Sequence, residues 1–145
     1  MMINWAISVP SFTFNHNNEL IIADNESNCL KIFDITHSLN LKRIILFDLD
    51  VKKMSYHKVN ESNEYLLIMP YVNDLYLLNL TTNKICAFCG HKSYITQAGL
   101  TKDGTIVSGG GDHRIGLKKL AGIKNWQKVG GEGNKLVIEN QNVEK

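Results

Sequence analysis

The sequence predicts an all-β chain built from repeated groups of short strands, and three observations lead there. Residues 90–120 read GHKSYITQAGLTKDGTIVSGGGDHRIGLKKL, short apolar or alternating segments separated by tight Gly/Asp turns. The same grammar recurs twice upstream, with strand-sized β-branched and aliphatic runs between polar turns. Almost no segment carries a helical 3.6-residue period with capping residues.

In chain order, residues 7–14 form the first strand, with Pro10 near an edge or bulge because it cannot donate to a ladder. Residues 15–18 turn, residues 19–23 make the second strand, and residues 24–28 turn again. The third strand, residues 29–35, alternates inward and outward side chains, and residues 41–49 supply the fourth. The next unit places strands at residues 53–59, 65–69, 74–80 and 84–89, with turns at residues 60–63, 71–73 and 81–83. In the third unit, residues 93–100, 105–108 and 114–120 are strands. Lys102-Asp103-Gly104 and residues 109–113 are the turns between them. Trp126-Gln127-Lys128-Val129 is then read as the outer strand of this unit, and residues 135–139 as the start of a fourth.

Spacing tests the repeat. Leu30, Leu75 and Ile115 fall in register on the third strands, at intervals of 45 and 40 residues, followed by Phe33, Leu78 and Lys118. Repeats of ~40–45 residues are those of four-stranded WD-type propeller blades. The expected fold is therefore all-β, a WD-type β-propeller of about three four-stranded blades, partial or open. The blades span approximately 7–50, 51–91 and 92–130, with 131–145 as a tail or the start of a further blade. A generic β-sandwich, which also has short strands and polar turns, is the alternative.

Composition sets the outer limits. At 145 residues the chain is about one domain, and 43% hydrophobic with 21% charged residues is the balance of a globular protein. A net charge of +2 is too small to imply nucleic acid by itself. No apolar run approaches the ~20 residues that span a bilayer, so no membrane association is expected. Residues 1–9 lack the basic and apolar regions of a secretory signal. With three Cys, an odd number, this points to free thiols in a reducing compartment, nucleus or cytoplasm. Asn is abundant, which suits turns and is equally what biased codon usage would give.

Gly90-His91, Asp103-Gly104, Ser108-Gly109 and Asp112 resemble the landmarks of a WD repeat. The resemblance implies that His91, Ser108 and Asp112 share a hydrogen-bond network that pins one strand to the next, a structural set and not a catalytic one. The family's Trp position is Lys118 here, with Leu78 and Phe33 at its equivalents. The terminal WD dipeptide becomes Phe33-Asp34, Leu78-Asn79 and Lys118-Lys119, and the Asp position is Ser27 in the first unit and Val72 in the second. The likeness covers about residues 7–120, with specific motifs only in the third unit.

Asn73-Asp74-Leu75-Tyr76, followed by Gly90-His91-Lys92-Ser93-Tyr94-Ile95-Thr96, is similar more narrowly to the WD-repeat non-catalytic subunit of tRNA (guanine-7-) methyltransferase. The Asp-bearing turn and basic strand from Asp112 to Lys119, lacking the usual Trp, fit that family, as does the order of features in the first unit, Leu20 to Ile35 followed by Lys42-Arg43. The resemblance implies a scaffold that holds a methyltransferase catalytic subunit and helps present tRNA, which it touches indirectly. It further implies a partner-binding strand on which Arg114 matches one basic position and Gly116 stands where a second is usual. Lys118 and Lys119 are the nearest substitutes. A general WD adaptor that binds proteins at the propeller rim is the alternative, and an enzyme stands third.

Other constellations read as structural. Cys86-Ala87-Phe88-Cys89 has no second Cys pair to complete a zinc site, and residues three apart on a strand point to opposite faces. No metal and no cofactor are expected. Gly109-Gly110-Gly111 precedes a strand, not the helix a phosphate loop needs, so the glycines are read as turn residues. His16, His37, His57 and His113 are expected to face solvent. The dibasic pairs Lys42-Arg43 and Lys52-Lys53 are expected on the solvated surface. A closed propeller needs ~4–8 blades. The interrupted pattern favours a partial chain over a homodimer building six blades or an arc completed by a partner. Self-association through open apolar sheet faces is expected in each case.

Overall fold

The computed structural model describes residues 2, 11–71, 73–89, 91–128 and 143–144. Four strands form the first sheet in sequence order: β1 (Phe12–Phe14), β2 (Leu20–Asp24), β3 (Cys29–Asp34) and β4 (Asn40–Leu46). The second sheet contains β5 (Val51–Asn60), β6 (Asn63–Pro70), β7 (Asp74–Asn79) and β8 (Lys84–Cys89), again neighbours in order. The third contains β9 (Ile95–Leu100), β10 (Thr105–Gly110) and β11 (Ile115–Lys119). A 3-10 turn, Leu120–Gly122, leads to β12 (Gln127–Lys128), and β13 (Val143–Glu144) is the last described strand. Apart from β13, which runs parallel to β8, every pairing is antiparallel. This is an all-β, propeller-like arrangement of successive sheets. The first part, residues 7–10, of the strand predicted at 7–14 and the strand predicted at residues 135–139 lie outside the described residues.

Two corrections concern the end of the chain. Among the described residues the third sheet has three strands and not four. Gln127 and Lys128, expected beside β11, pair instead with Ile85 and Lys84 on the outer edge of β8. Packing explains the diversion. Ile123 is buried in the core between the second and third sheets, and the Trp126 ring lies 6.3 Å from that of Tyr65 on β6. These two apolar anchors draw the chain across to the second sheet, where burying a large side chain is worth roughly 1.5–3 kcal/mol.

The core has two layers, with the second sheet between them. Leu30, Ile32 and Ile45 of the first sheet meet Leu66, Ile68, Tyr76 and Leu78 of the second. Leu67, Met69, Leu75 and Leu77 face the other way, onto Ile95, Ala98 and Ile106 of the third. Strands β6 and β7 are therefore buried on both faces. Their near-continuous apolar runs, Tyr65-Leu66-Leu67-Ile68-Met69 and Leu75-Tyr76-Leu77-Leu78, follow from that position.

Turns use the left-handed region sparingly. Asn18, Asn28, Asn83 and His113 have φ of 59°, 50°, 59° and 62°, and Asn is the non-glycine residue most tolerant of that conformation. The abundance of Asn thus has a structural use at three turns. Gly104, with φ of 85°, closes the β9–β10 hairpin.

Of the two dibasic pairs expected on the solvated surface, Lys42 and Lys53 are exposed, while Lys52 and Arg43 are half-buried; Lys52, Lys53 and Arg43 each reach across to the next sheet. Lys52 on β5 donates from Nζ to the Ile95 carbonyl at 2.7 Å and lies 5.4 Å from the centre of the Tyr94 ring, and Lys53 donates to Gln97. Arg43 on β4 donates to the Leu80 carbonyl at 3.2 Å and to the Asn83 side chain, while Lys42 pairs with Glu19 at 2.5 Å. Long stems cross the gap along apolar surface and deliver the cation to an acceptor on the next sheet. His57 also departs from expectation. It is half-buried beside the Ser55 hydroxyl, 2.9 Å from Nε2, and burial pushes its pKa down.

Candidate functional site

The third sheet gathers the residues singled out by motif. His91 precedes β9, Ser108 lies on β10, and Asp112 sits in the turn between β10 and β11. The His91 ring is only 6% exposed. Its Nδ1 lies 3.0 Å from Asp112 Oδ1 and its Nε2 lies 2.8 Å from Ser108 Oγ. A carboxylate only accepts, so Nδ1 carries the proton and donates to Asp112. In the neutral ring Nε2 then accepts the Ser108 hydroxyl. Asp112 also accepts from the backbone N–H of Lys92 at 2.8 Å and of Arg114 at 3.3 Å. One carboxylate thereby ties the segment before β9 to the start of β11.

Glycines make room for this network. A Cβ on Gly110 would lie 2.6 Å from His91 Nδ1 and 2.9 Å from Asp112 Oδ1. A Cβ on Gly116 would lie 2.6 Å from Ser108 Oγ. Gly111 is pressed against Tyr94, whose ring a Cβ would meet at 2.8 Å. Of Gly109-Gly110-Gly111, expected as turn residues, Gly111 lies in the turn, whereas Gly109 and Gly110 belong to β10. The left-handed turn conformation falls on His113, and Gly110 and Gly111 permit close packing.

The order carboxylate, imidazole, hydroxyl is the order of a hydrolytic triad. Here its surroundings turn it inward. Ser108 Oγ lies against the backbone of Gly116, and the imidazole is buried beneath Gly110. What this geometry does is hold three segments in register.

Asp112 is the charged member. Its hydrogen bond with His91, helped by the Lys92 and Arg114 amides, holds its pKa down at about 2 against the opposing effect of partial desolvation. An unfolded Asp titrates near ~3.9, so the folded form binds its proton less readily. The stabilisation is therefore present above about pH 4 and is lost as pH falls from about 4 through about 2. Thermal melts of wild type and Asp112→Asn should differ at neutral pH and converge toward pH ~2. A gap of constant size across that window would disprove the linkage.

The basic residues separate. Arg114 is exposed, and with Gly116 and Lys118 it belongs to the face of the third sheet that carries Ser108, since residues two apart share a face. Lys119 points to the opposite face, where Nζ lies 2.6 Å from Thr105 Oγ1 and 3.4 Å from Asp103 Oδ2. That opposite face carries a feature no motif flagged. Ile115 and Leu117 are 76% and 71% exposed, beside a shallow apolar depression of about 400 Å³ lined by Gln97, Gly99, Val107 and Gly109.

Elsewhere, a polar cleft of about 230 Å³ between the first and second sheets is lined by Asn15, Glu19, Lys42, Arg43 and Glu64. Its charges are engaged with one another or with the backbone, Glu64 with His16 at 2.6 Å. Cys86 is buried among Leu67, Leu77 and Ile106, and Cys29 is also buried, which pushes its thiol pKa up and lowers its reactivity. Among the described residues, no three His, Cys, Asp or Glu side chains are grouped to hold a metal ion. No helix among them is long and apolar enough to cross a membrane.

No protein-family model and no curated protein matches the chain. Among solved structures, the computationally designed protein Ika4 is similar, with a TM-score of 0.51 and 12% identity over 82% of this chain and 95% of that one. BBS1N, solved in complex with ARL6DN, gives a TM-score of 0.38 and 8% identity over 70% of this chain and 44% of its own. At such low identity the likeness to Ika4 speaks for the fold alone, and that fold is all-β and propeller-like.

Proposed function

We propose that this chain is a non-catalytic WD-type scaffold that holds a partner protein on its third unit. The more specific form of the proposal is the supporting subunit of a tRNA 7-methylguanosine methyltransferase. The observation that carries the reading is the His91–Ser108–Asp112 network at 2.8 and 3.0 Å, because it joins in space the three residues a WD repeat uses to pin its strands. Its buried imidazole fits a structural duty and leaves the partner surface to Arg114, Lys118 and Lys119. In this reading the three sheets are blades of approximately residues 7–50, 51–91 and 92–130, and tRNA is met through the enzyme. A nuclear or cytoplasmic setting follows from the same assignment.

A general protein-interaction adaptor is the second reading. It is favoured by Gly116, which stands where the specific family has a second basic residue on the face of Arg114. Two measurements decide. Depleting the protein from its source should lower 7-methylguanosine in tRNA, and the chain should co-purify with a methyltransferase. Unchanged tRNA alongside stable capture of other proteins would replace the first reading with the second.

A further inference from the structure

The outer edge of β11 is built like a strand waiting for its neighbour. Leu120 N–H donates to the Gly104 carbonyl at 2.8 Å, and Gly110 N–H to the Arg114 carbonyl at 3.3 Å. In the antiparallel ladder between these two bonds, Gly116 and Lys118 are the residues that exchange bonds with Ser108 and Ile106. Ile115, Leu117 and Lys119 therefore aim their N–H and C=O groups away from β10. In the first two sheets the corresponding third strands, β3 and β7, are each flanked by a fourth strand. Among the described residues β11 has no such flank, because β12 pairs with β8.

The side chains show a second contrast, on the face of the sheet and not at its edge: in each earlier sheet this face of the third strand is covered by the next sheet. Leu30 and Leu75 occupy the position of Ile115 in the two earlier sheets, and Ile32 and Leu77 that of Leu117; all four are buried. Ile115 and Leu117 are 76% and 71% exposed. On the other face of the same strand, Arg114 and Lys118 flank Gly116. An incoming strand thus meets aliphatic groups on one face and cations on the other.

We propose that β11 binds an extended segment of a partner protein by antiparallel strand addition, and that this segment alternates apolar with acidic residues. Its backbone satisfies the outward groups of Ile115, Leu117 and Lys119. Its apolar residues lie beside Ile115 and Leu117, and its carboxylates lie on the face of the exposed Arg114. Main-chain bonds supply affinity and alternate side chains supply specificity in this mode of recognition. The proposal rests on β11 being the partner-docking strand and not on the partner being a methyltransferase.

The test uses the full chain and a short synthetic peptide of alternating valine and glutamate. Binding is expected to slow amide exchange at Ile115, Leu117 and Lys119 while leaving Gly116 and Lys118 unchanged. Leu117→Pro should abolish binding, since it removes an outward donor and no β10–β11 bond, and proline is tolerated at such an edge position. Arg114→Glu should weaken binding about fivefold at low salt, because an opposite charge across the new strand pair becomes a like charge. A melting curve for each variant confirms that it folds. The proposal is overturned by no detectable binding, by unimpaired binding to Leu117→Pro, or by equal binding of a valine–lysine peptide. It is equally overturned if the purified chain is a dimer that Leu117→Pro dissociates, which would assign the edge to a second copy. Loss of peptide binding with a preserved effect on tRNA would remove this inference alone; the reverse would remove only the methyltransferase reading.

Discussion

His91→Ala should lower the unfolding free energy by roughly 2–4 kcal/mol and loosen the third sheet first. The imidazole is buried, and its removal leaves the Ser108 hydroxyl and the Asp112 carboxylate without their shared partner. Leaving a polar group unsatisfied costs about 1–3 kcal/mol, which exceeds the worth of an average hydrogen bond. Denaturant melts give the size of the effect. Amide exchange should show faster opening in β9, β10 and β11, with β2 and β3 near their wild-type protection. Gly110→Ala is the companion variant. It deletes no hydrogen-bonding group, yet its Cβ would meet His91 Nδ1 at 2.6 Å, so an overpacking cost of about 1–3 kcal/mol is expected. A neutral Gly110→Ala would mean that the ring can move, and a neutral His91→Ala that the network does not hold the sheet.

The second large effect belongs to the middle of the molecule. Leu77→Ala and Leu78→Ala should each cost about 2–5 kcal/mol, the range for a buried leucine whose cavity cannot fully collapse. Both side chains are wholly buried, but Leu77 packs against the third sheet and Leu78 against the first. Adjacent in sequence, they load different core layers. Their stability losses should therefore be nearly additive in the double variant, because they share few packing partners. Exchange should divide by layer, with Leu77→Ala exposing β9 and β10 and Leu78→Ala exposing β2 and β3. A strongly non-additive pair would show that the two layers behave as one core.

These experiments also show why some features are legible in sequence. The strands are local objects: a run such as Cys29–Asp34 declares itself through alternation, and Thr105-Ile106-Val107 through β-branching. The motif residues His91, Ser108 and Asp112 were recoverable because they lie within one short stretch of sequence, around β9 and β10. Other features were not. Lys52 and Lys53 look like any surface dibasic pair, since the acceptors that engage them, Ile95 and Gln97, are more than forty positions away in the chain. The signal available for β6 and β7 was the continuity of their apolar runs, which marks burial on both faces without naming the sheets that cover them.

The sequence by itself determined that this is an all-β chain, which segments are strands, and where the hairpins turn. Those outcomes depend on pleat, period and the conformations open to Asn and Gly, all of which act over a few residues. Only the tertiary structure decided which strands become neighbours. The path of residues 120–128 is the clearest case, because strand propensity is satisfied equally by pairing with β11 or with β8. Burial of Ile123 and the packing of Trp126 on Tyr65 break that tie. Among the described residues the result leaves β11 as an outer strand with aliphatic and cationic faces, and the edge on which the binding proposal rests is a product of packing.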